Sequence, residues 1–299
     1  MSRIVYVGEA MLELSRCDGA WTLGYGGDTL NTAIHLARAG HDVSYLTALG
    51  DDPFSHDLRA GWSREGLDCS LVLKHPARQP GLYAISTDAS GERSFTYWRE
   101  ASAARDMFSL PAMAEAMEQA EQADLLGFSL VTLSILPPAA RERMLLLAES
   151  VRKRGGRVAF DGNYRPLLWS SREEATASRD VAIAVADFGF PTFVDERDLT
   201  GAADANQVAA CWSQLGCAET IVKLGAEGCR LPDGRVIAPE AQLEPVDTSG
   251  AGDAFNAGYL AARLSGADIE NAAIAGHRLA GWTIMRPGAI PARATDARE

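Results

Sequence analysis

The chain has 299 residues, of which 47% are hydrophobic and 23% charged, the composition of a packed globular protein and not of a disordered or fibrous one. Its 28 Lys and Arg against 40 Asp and Glu leave a formal net charge of -12, which opposes a phosphate backbone and excludes nucleic acid as the expected partner. Five cysteines without C-x-x-C pairs argue against a disulfide framework or zinc site, and no apolar run reaches the roughly 18 residues of a membrane helix, so a cytoplasmic protein is expected.

Ile4 to Val7 is a β-branched and aromatic run that ends at Gly8 and reads as a buried strand, as does Val43 to Leu49 before Gly50. Between them Leu30, Ala33, Ile34 and Ala37 recur at the spacing of an amphipathic helix closed by Gly40. The stretch Glu13 to Gly27 is too long for a βα loop and alternates on its own, so an insertion is expected there. From Cys69 to Arg99, the runs Ser70 to Leu73, Leu82 to Ile85 and Ser94 to Trp98 alternate around Pro80-Gly81 and Ser90-Gly91, which predicts antiparallel hairpins.

The α/β rhythm then resumes, with a helix near 111–122, a strand at 125–130, a helix at 139–153 and a strand at 157–160. Short strands follow at 188–190, 220–223, 229–231 and 236–238. Repeated βα units predict a mostly parallel sheet covered on both faces, with the hairpins as a smaller sheet above it. The expectation is a single α/β domain over residues 1–299 whose lid is formed by roughly 13–25 and 69–99.

The segment richest in chemistry is Asp247-Thr248-Ser249-Gly250-Ala251-Gly252-Asp253. Small residues just ahead of Ala254, Phe255, Gly258 and Ala261 place bare N–H groups at a helix N-terminus, which is an anion site. Asp253 falls in the first turn, where a carboxylate either complements the helix dipole or, beside a bound phosphate, accepts the proton of an attacking hydroxyl. Spacing alone leaves both open. A dinucleotide-dependent oxidoreductase fails on detail, because Gly8 is followed by Glu9-Ala10-Met11 and no G-x-G-x-x-G opens a helix from a strand.

That segment resembles the D-T-[TS]-G-A-G-D signature of the ribokinase-like (PfkB) carbohydrate kinases, and Gly26-Gly27-Asp28-Thr29-Leu30-Asn31 is similar to the family's G-G signature followed by Asn. The resemblance covers nearly the whole chain. Its 2-keto-3-deoxygluconate branch is most alike, through Gly27 to Thr32, Gly50 to Ser55, Gly81-Leu82-Tyr83 and Gly91 to Arg99 with its F-x-Y-W-R run. The resemblance implies a ribokinase-like three-layer α/β/α sandwich, a mostly parallel central sheet and a small β-sheet lid. It also implies ATP-dependent phosphorylation of the primary hydroxyl of 2-keto-3-deoxygluconate. The alternatives are a kinase of a neutral sugar, against which Tyr97 and Arg99 argue, and a non-catalytic sugar-binding protein, against which Asp253 argues.

By that resemblance Asp253 is the base, and the amides of Gly250, Ala251 and Gly252 stabilise the transferred phosphoryl. Gly27, Asp28 and Asn31 are implied at the sugar hydroxyls. Tyr83, Tyr97, Arg99, Val131 and Arg165 are implied around the rest of the substrate, a guanidinium being suited to reading a carboxylate bidentately. Asn163 and Arg165, just past a buried strand, lie where open α/β sheets bind ligands and are implied at the phosphates. Lys223, Gly225 and Gly228 belong to the implied nucleotide loop, with Lys223 in place of the family's common Thr or Ser. Mg²⁺ is implied with Asp195 and Glu196 as its carboxylates, although Thr192 replaces the amide of the family's N-x-x-E. A monovalent cation such as K⁺ is a further implied cofactor, and His277 either borders the adenine or packs the surface. A small sugar acid, ATP and further copies of the chain, in a dimer or larger homo-oligomer joined through the lid, complete the expected partners.

Overall fold

The computed structural model describes residues 2–17, 20–87 and 93–293. In chain order it runs β1 (Arg3–Val7), β2 (Met11–Cys17), β3 (Ala20–Gly26), α1 (Asp28–Arg38), β4 (Asp42–Leu49), α2 (Pro53–Arg64), β5 (Val72–Lys74), β6 (Gly81–Thr87), β7 (Arg93–Trp98), α3 (Met113–Ala120) and β8 (Leu125–Ser129). It continues with α4 (Leu130–Ile135), α5 (Pro138–Lys153), β9 (Arg157–Asp161), α6 (Arg172–Ala184), β10 (Phe188–Gly189), α7 (Phe193–Thr200) and α8 (Ala205–Gln214). Then come β11 (Glu219–Thr220), β12 (Val222–Lys223), β13 (Cys229–Arg230), β14 (Val236–Ile237), α9 (Ala251–Leu264) and α10 (Ile269–Ile284).

The central sheet has seven parallel strands in the order β11-β10-β9-β8-β1-β4-β5. β1 shows the cause in its sequence. Ile4 and Tyr6 enter the core on one face with Leu30 and Ile34 of α1 and Phe255 and Tyr259 of α9. Val5 and Val7 enter the core on the other face with Met144 and Leu147 of α5. A strand apolar on both sides must be covered on both, which fixes the three layers. Helix starts are marked chemically, as where Asp52 accepts the Ser55 N–H at 3.1 Å just ahead of Pro53. β4 and β5 extend the sheet to one side of β1 and β8 to β11 to the other, so the winding reverses between β1 and β8. Open α/β sheets bind ligands outside the carboxyl ends of the strands at such a reversal.

The lid is a four-stranded sheet, β3-β2-β6-β7. It departs from the expected run of hairpins in two ways. β2 and β6 pair in parallel, between the antiparallel pairs β2–β3 and β6–β7. The run at 70–73 belongs elsewhere, since β5 pairs in parallel with β4 at the edge of the central sheet, where Leu71 and Leu73 join the main core. The lid therefore comes from residues 11–26 and 81–98, and the stretch 69–80 is part of the α/β body. The run expected at 220–223 splits at Ile221 into a central strand and one strand of a separate sheet, β12-β13-β14. Asp18, Gly19 and residues 88–92, including the Ser90-Gly91 turn and Glu92 of the quoted motif, lie outside the described residues.

Candidate active site

Asp253 lies in the first turn of α9, below a left-handed cap at Gly250 (φ 70°). A side chain at Gly250 would meet Ala289, whose Cα stands 2.9 Å from the place of a Cβ. The Asn31 Nδ2 of α1 donates to Asp253 Oδ2 at 2.8 Å. Burial first, then the carboxylates of Asp28 and Asp161, push the Asp253 carboxyl up to about 8, against the pull of Asn31 and Lys223. A carboxyl so placed takes a proton readily near neutral pH.

α1 begins at Gly27, held at φ 151°, where a Cβ would strike the backbone carbonyl of Glu9. Asp28 does not cap the helix in the ordinary way, because Gly27 is the cap residue. Its Oδ1 accepts the Thr29 N–H at 2.8 Å and its Oδ2 accepts Asn163 Nδ2 at 2.8 Å. Asn163, expected at the phosphates, is thus tied to Asp28, a residue expected at the sugar. Asn31, also expected at a sugar hydroxyl, holds Asp253 through Nδ2, and its buried Oδ1 has no hydrogen-bond partner among the described residues. Beneath them Asp161, at the end of β9, accepts Lys223 Nζ at 3.0 Å and Asn256 Nδ2 at 2.8 Å.

The lid presents a row of residues to this floor, with Gly24, Glu13, Tyr83 and Tyr97 opposite one another across its four strands. Tyr83 donates its hydroxyl to Glu13, and Tyr97 lies beside it at 5.9 Å between ring centres. Arg99 lies just past β7 and is buried, and its guanidinium carbon stands 5.8 Å from the centre of the half-exposed Tyr97 ring two residues before it, so the two lie together. The guanidinium places Nε and Nη2 on Oε2 of the buried Glu9, and Nη1 has no hydrogen-bond partner among the described residues. One edge of Arg99 is therefore fixed by Glu9, and the end edge stays open for a ligand. Arg165 is half-exposed, with Nη1 on Tyr164 O at 2.7 Å and on Asp195 Oδ2 at 3.4 Å. Val131 is partly buried in the first turn of α4.

A cavity of about 650 Å³ is lined by Lys223, Gly225, Gly228, Thr248 and Gly252 together with apolar groups such as Leu243 and Trp282. A lining that joins a helix N-terminus to apolar surface suits a nucleotide, with its phosphates at the N-terminus. His277 lines the cavity too, its Nε2 2.9 Å from Ile237 O, and burial lowers its pKa.

The expected metal pair separates. Glu196 is removed from it, since both its oxygens hold Arg179 in a buried fork, Nε to Oε1 at 2.9 Å and Nη2 to Oε2 at 2.7 Å. Asp195 stays at the cleft, where burial raises its pKa against the opposing charges of Arg165 and Lys223. Asp195 is paired only loosely, with Arg165 at 3.4 Å, and a nucleotide-borne Mg²⁺ takes few protein ligands and keeps its waters, so one carboxylate here is compatible with it. Among the described residues no group of three or more His, Cys, Asp or Glu forms a metal cage, and no helix is long and apolar enough to cross a membrane.

Glu9 and Asn256 escaped the sequence reading, which gave Asp161 no role. Glu9 and Asp161 carried a signal, polar groups at the carboxyl ends of buried strands, and Asn256 carried another, a buried amide on an otherwise apolar helix face.

A parallel sheet with a β lid, an anion site at a helix N-terminus and an adjacent buried carboxylate define a sugar kinase of the ribokinase type. The chain belongs to the pfkB family of carbohydrate kinases, which it matches over residues 1–296. It is 41% identical over 298 residues to a 2-dehydro-3-deoxygluconokinase of Escherichia coli (strain K12), with 96% of each chain covered. It is 40% identical over 301 residues to the 2-dehydro-3-deoxygluconokinase of Dickeya dadantii (strain 3937), again with 96% of each covered. Among solved structures, a PfkB protein from Polaromonas sp. JS666 matches with a TM-score of 0.84 at 28% identity over 100% of both chains.

Proposed function

We propose that the protein transfers the γ-phosphoryl group of ATP to the primary hydroxyl of 2-keto-3-deoxygluconate, giving 2-keto-3-deoxy-6-phosphogluconate and ADP. The observation that carries the reading is the position of Asp253, a carboxyl with a pKa of about 8 directly after the amides of Gly250 to Gly252. As the hydroxyl oxygen bonds to phosphorus, its proton passes to Asp253, and the helix N-terminus meets the charge on the phosphoryl oxygens. Gly27 and Asp28 hold the sugar hydroxyls, and Tyr83, Tyr97, Val131 and the open edge of Arg99 form the acid end, with Arg165 over the cleft mouth. Mg²⁺ bound with ATP neutralises phosphate charge, and Asp195 is the residue that would hold it. The names of the two enterobacterial relatives support the choice of acid substrate.

Turnover of 2-keto-3-deoxygluconate, 2-keto-3-deoxygalactonate, fructose, ribose and adenosine in a coupled assay tests this. The expected result is a kcat/KM for the sugar acids at least about 10² above the neutral sugars, the worth of a charge-assisted contact. Fructose or ribose as the best substrate overturns it.

The second copy of the chain belongs to the same proposal. The outer face of the lid carries Trp21, Leu23 and Trp98, exposed by 52%, 51% and 57%, and an apolar sheet face of this kind is suited to a matching copy. Light scattering should give a dimer, and Leu23→Lys should give a monomer. A wild-type monomer at micromolar concentration rejects the pairing.

A further inference from the structure

Lys223 replaces a small hydroxyl residue common in the family, and the structure puts its ammonium in an unusual place. Its side chain is only 10% exposed. Nζ donates to Asp161 Oδ1 at 3.0 Å and to Asn256 Oδ1 at 3.3 Å, and its third N–H has no partner among the described residues. A Cβ built on Gly252 would lie 3.4 Å from Nζ, so the ammonium stands against the first turn of α9, one residue before Asp253.

A cation at the positive end of a helix is electrostatically mismatched. Asp161, which Asn256 also engages, is the one carboxylate hydrogen-bonded to it among the described residues, Asp253 and Asp195 feel its charge from farther off, and Lys223 lines the nucleotide cavity. An ammonium with one unused N–H and a helix N-terminus converging on one space suit the oxygen of a phosphoryl group. Asn256, one turn beyond Asp253, fixes this geometry by accepting from Lys223 while donating to Asp161 Oδ2 at 2.8 Å.

We propose that Lys223 is a catalytic residue whose third N–H contacts the transferring phosphoryl group, with Asn256 as the positioning residue that aims it. The inference rests on the kinase reading and adds a role to it. As the sugar oxygen bonds to the γ-phosphorus and the bond to the β–γ bridging oxygen breaks, the proton goes to Asp253 and the charge on the equatorial oxygens faces Lys223. Contact with the γ-group and not with the rest of the nucleotide follows from the ammonium's place beside the residue that precedes the base.

The test uses Lys223→Met, Lys223→Arg and Asn256→Ala, with kcat, the KM of the sugar acid, and equilibrium affinities for ADP and for the non-hydrolysable analogue AMP-PNP. In Lys223→Met, kcat falls by about 10² or more and AMP-PNP affinity by about tenfold, while ADP affinity and the sugar KM stay within about threefold. Lys223→Arg recovers part of both losses, and Asn256→Ala lowers kcat with the same bias against AMP-PNP. Because Lys223→Met strands the Asp161 carboxylate, the double variant Lys223→Met with Asp161→Asn is carried alongside to keep a folded protein for the binding measurement. A kcat within about threefold of wild type in either protein that carries Lys223→Met, or equal losses for ADP and AMP-PNP, overturns the proposal. A wild-type enzyme without ATP-dependent sugar phosphorylation overturns the kinase reading itself, a result separate from any variant.

Discussion

The Asn31 side chain donates to the Asp253 carboxylate at 2.8 Å across 222 residues of sequence, joining the first helix to the first turn of α9. This bond favours the charged form of Asp253 and so opposes the burial that raises its pKa. Asn31→Leu should lower kcat about tenfold and move the acidic limb of the kcat/KM profile to higher pH than in wild type, since a charge-assisted bond is lost. A pH profile that keeps its wild-type midpoint would reject Asn31 as the residue that tunes the base.

Asp253→Asn should keep the fold and substrate affinity and lower kcat by roughly 10² or more, the usual size of a general-base contribution. The pH dependence of stability gives an independent check. The carboxyl has an ordinary value of 3.8 and rises to about 8 in the fold, so the native state binds the extra proton and its stability falls as pH rises through that window. Asn carries no such proton, so the Tm of the variant minus that of wild type should grow from about pH 4 to about pH 8. A constant difference in calorimetry would remove the raised pKa from the account.

Arg99→Ala should raise the KM of the sugar acid by about tenfold or more and leave the KM of ATP nearly unchanged, because a charge-assisted bond to a carboxylate is worth roughly 1.5–3 kcal/mol. Lys should rescue only in part, since Glu9 holds the guanidinium by an edge that an ammonium lacks. Loss of ATP affinity instead would place Arg99 on the nucleotide side.

Asp195 and Glu196, the adjacent carboxylates of α7, should separate cleanly. Asp195→Asn should raise the Mg²⁺ concentration needed for half-maximal activity with little change in Tm. Glu196→Gln should destabilise by about 3–5 kcal/mol, the cost of leaving one member of a buried pair without its partner, and leave the Mg²⁺ requirement of the folded fraction unchanged. Titrations of activity with Mg²⁺ and thermal melts on both variants decide the assignment.

The lid sheet crosses to the α/β body only at the ends of its strands, beside Glu9, Gly27, Gly81 and Arg99. We expect it to close on the sugar acid, shielding the phosphoryl donor from water. Amide exchange in 81–87 and 93–99 should slow at saturating substrate. Unchanged protection would leave a preformed wall in place of a closing lid.

What the sequence determined by itself is whatever a few neighbouring residues settle. The Ile4 to Val7 run demands a strand buried on both faces, and the small residues before Asp253 demand bare amides at a helix N-terminus. Tertiary structure decided everything that depended on a partner. The run at 70–73 has strand periodicity in either sheet, and only the pairing of β5 with β4 places it in the body. Asp195 and Glu196 are adjacent carboxylates in the sequence, yet Arg179 of α6 claims one and leaves the other at the cleft. Asn31 and Asn163 are short polar side chains suited to caps or ligands, and their bonds to Asp253 and Asp28 exist only because β1 and β9 bring distant loops to one edge of the sheet. Periodicity is a local property of the chain, whereas the partner of a buried charge or amide is set by which elements the fold packs against it.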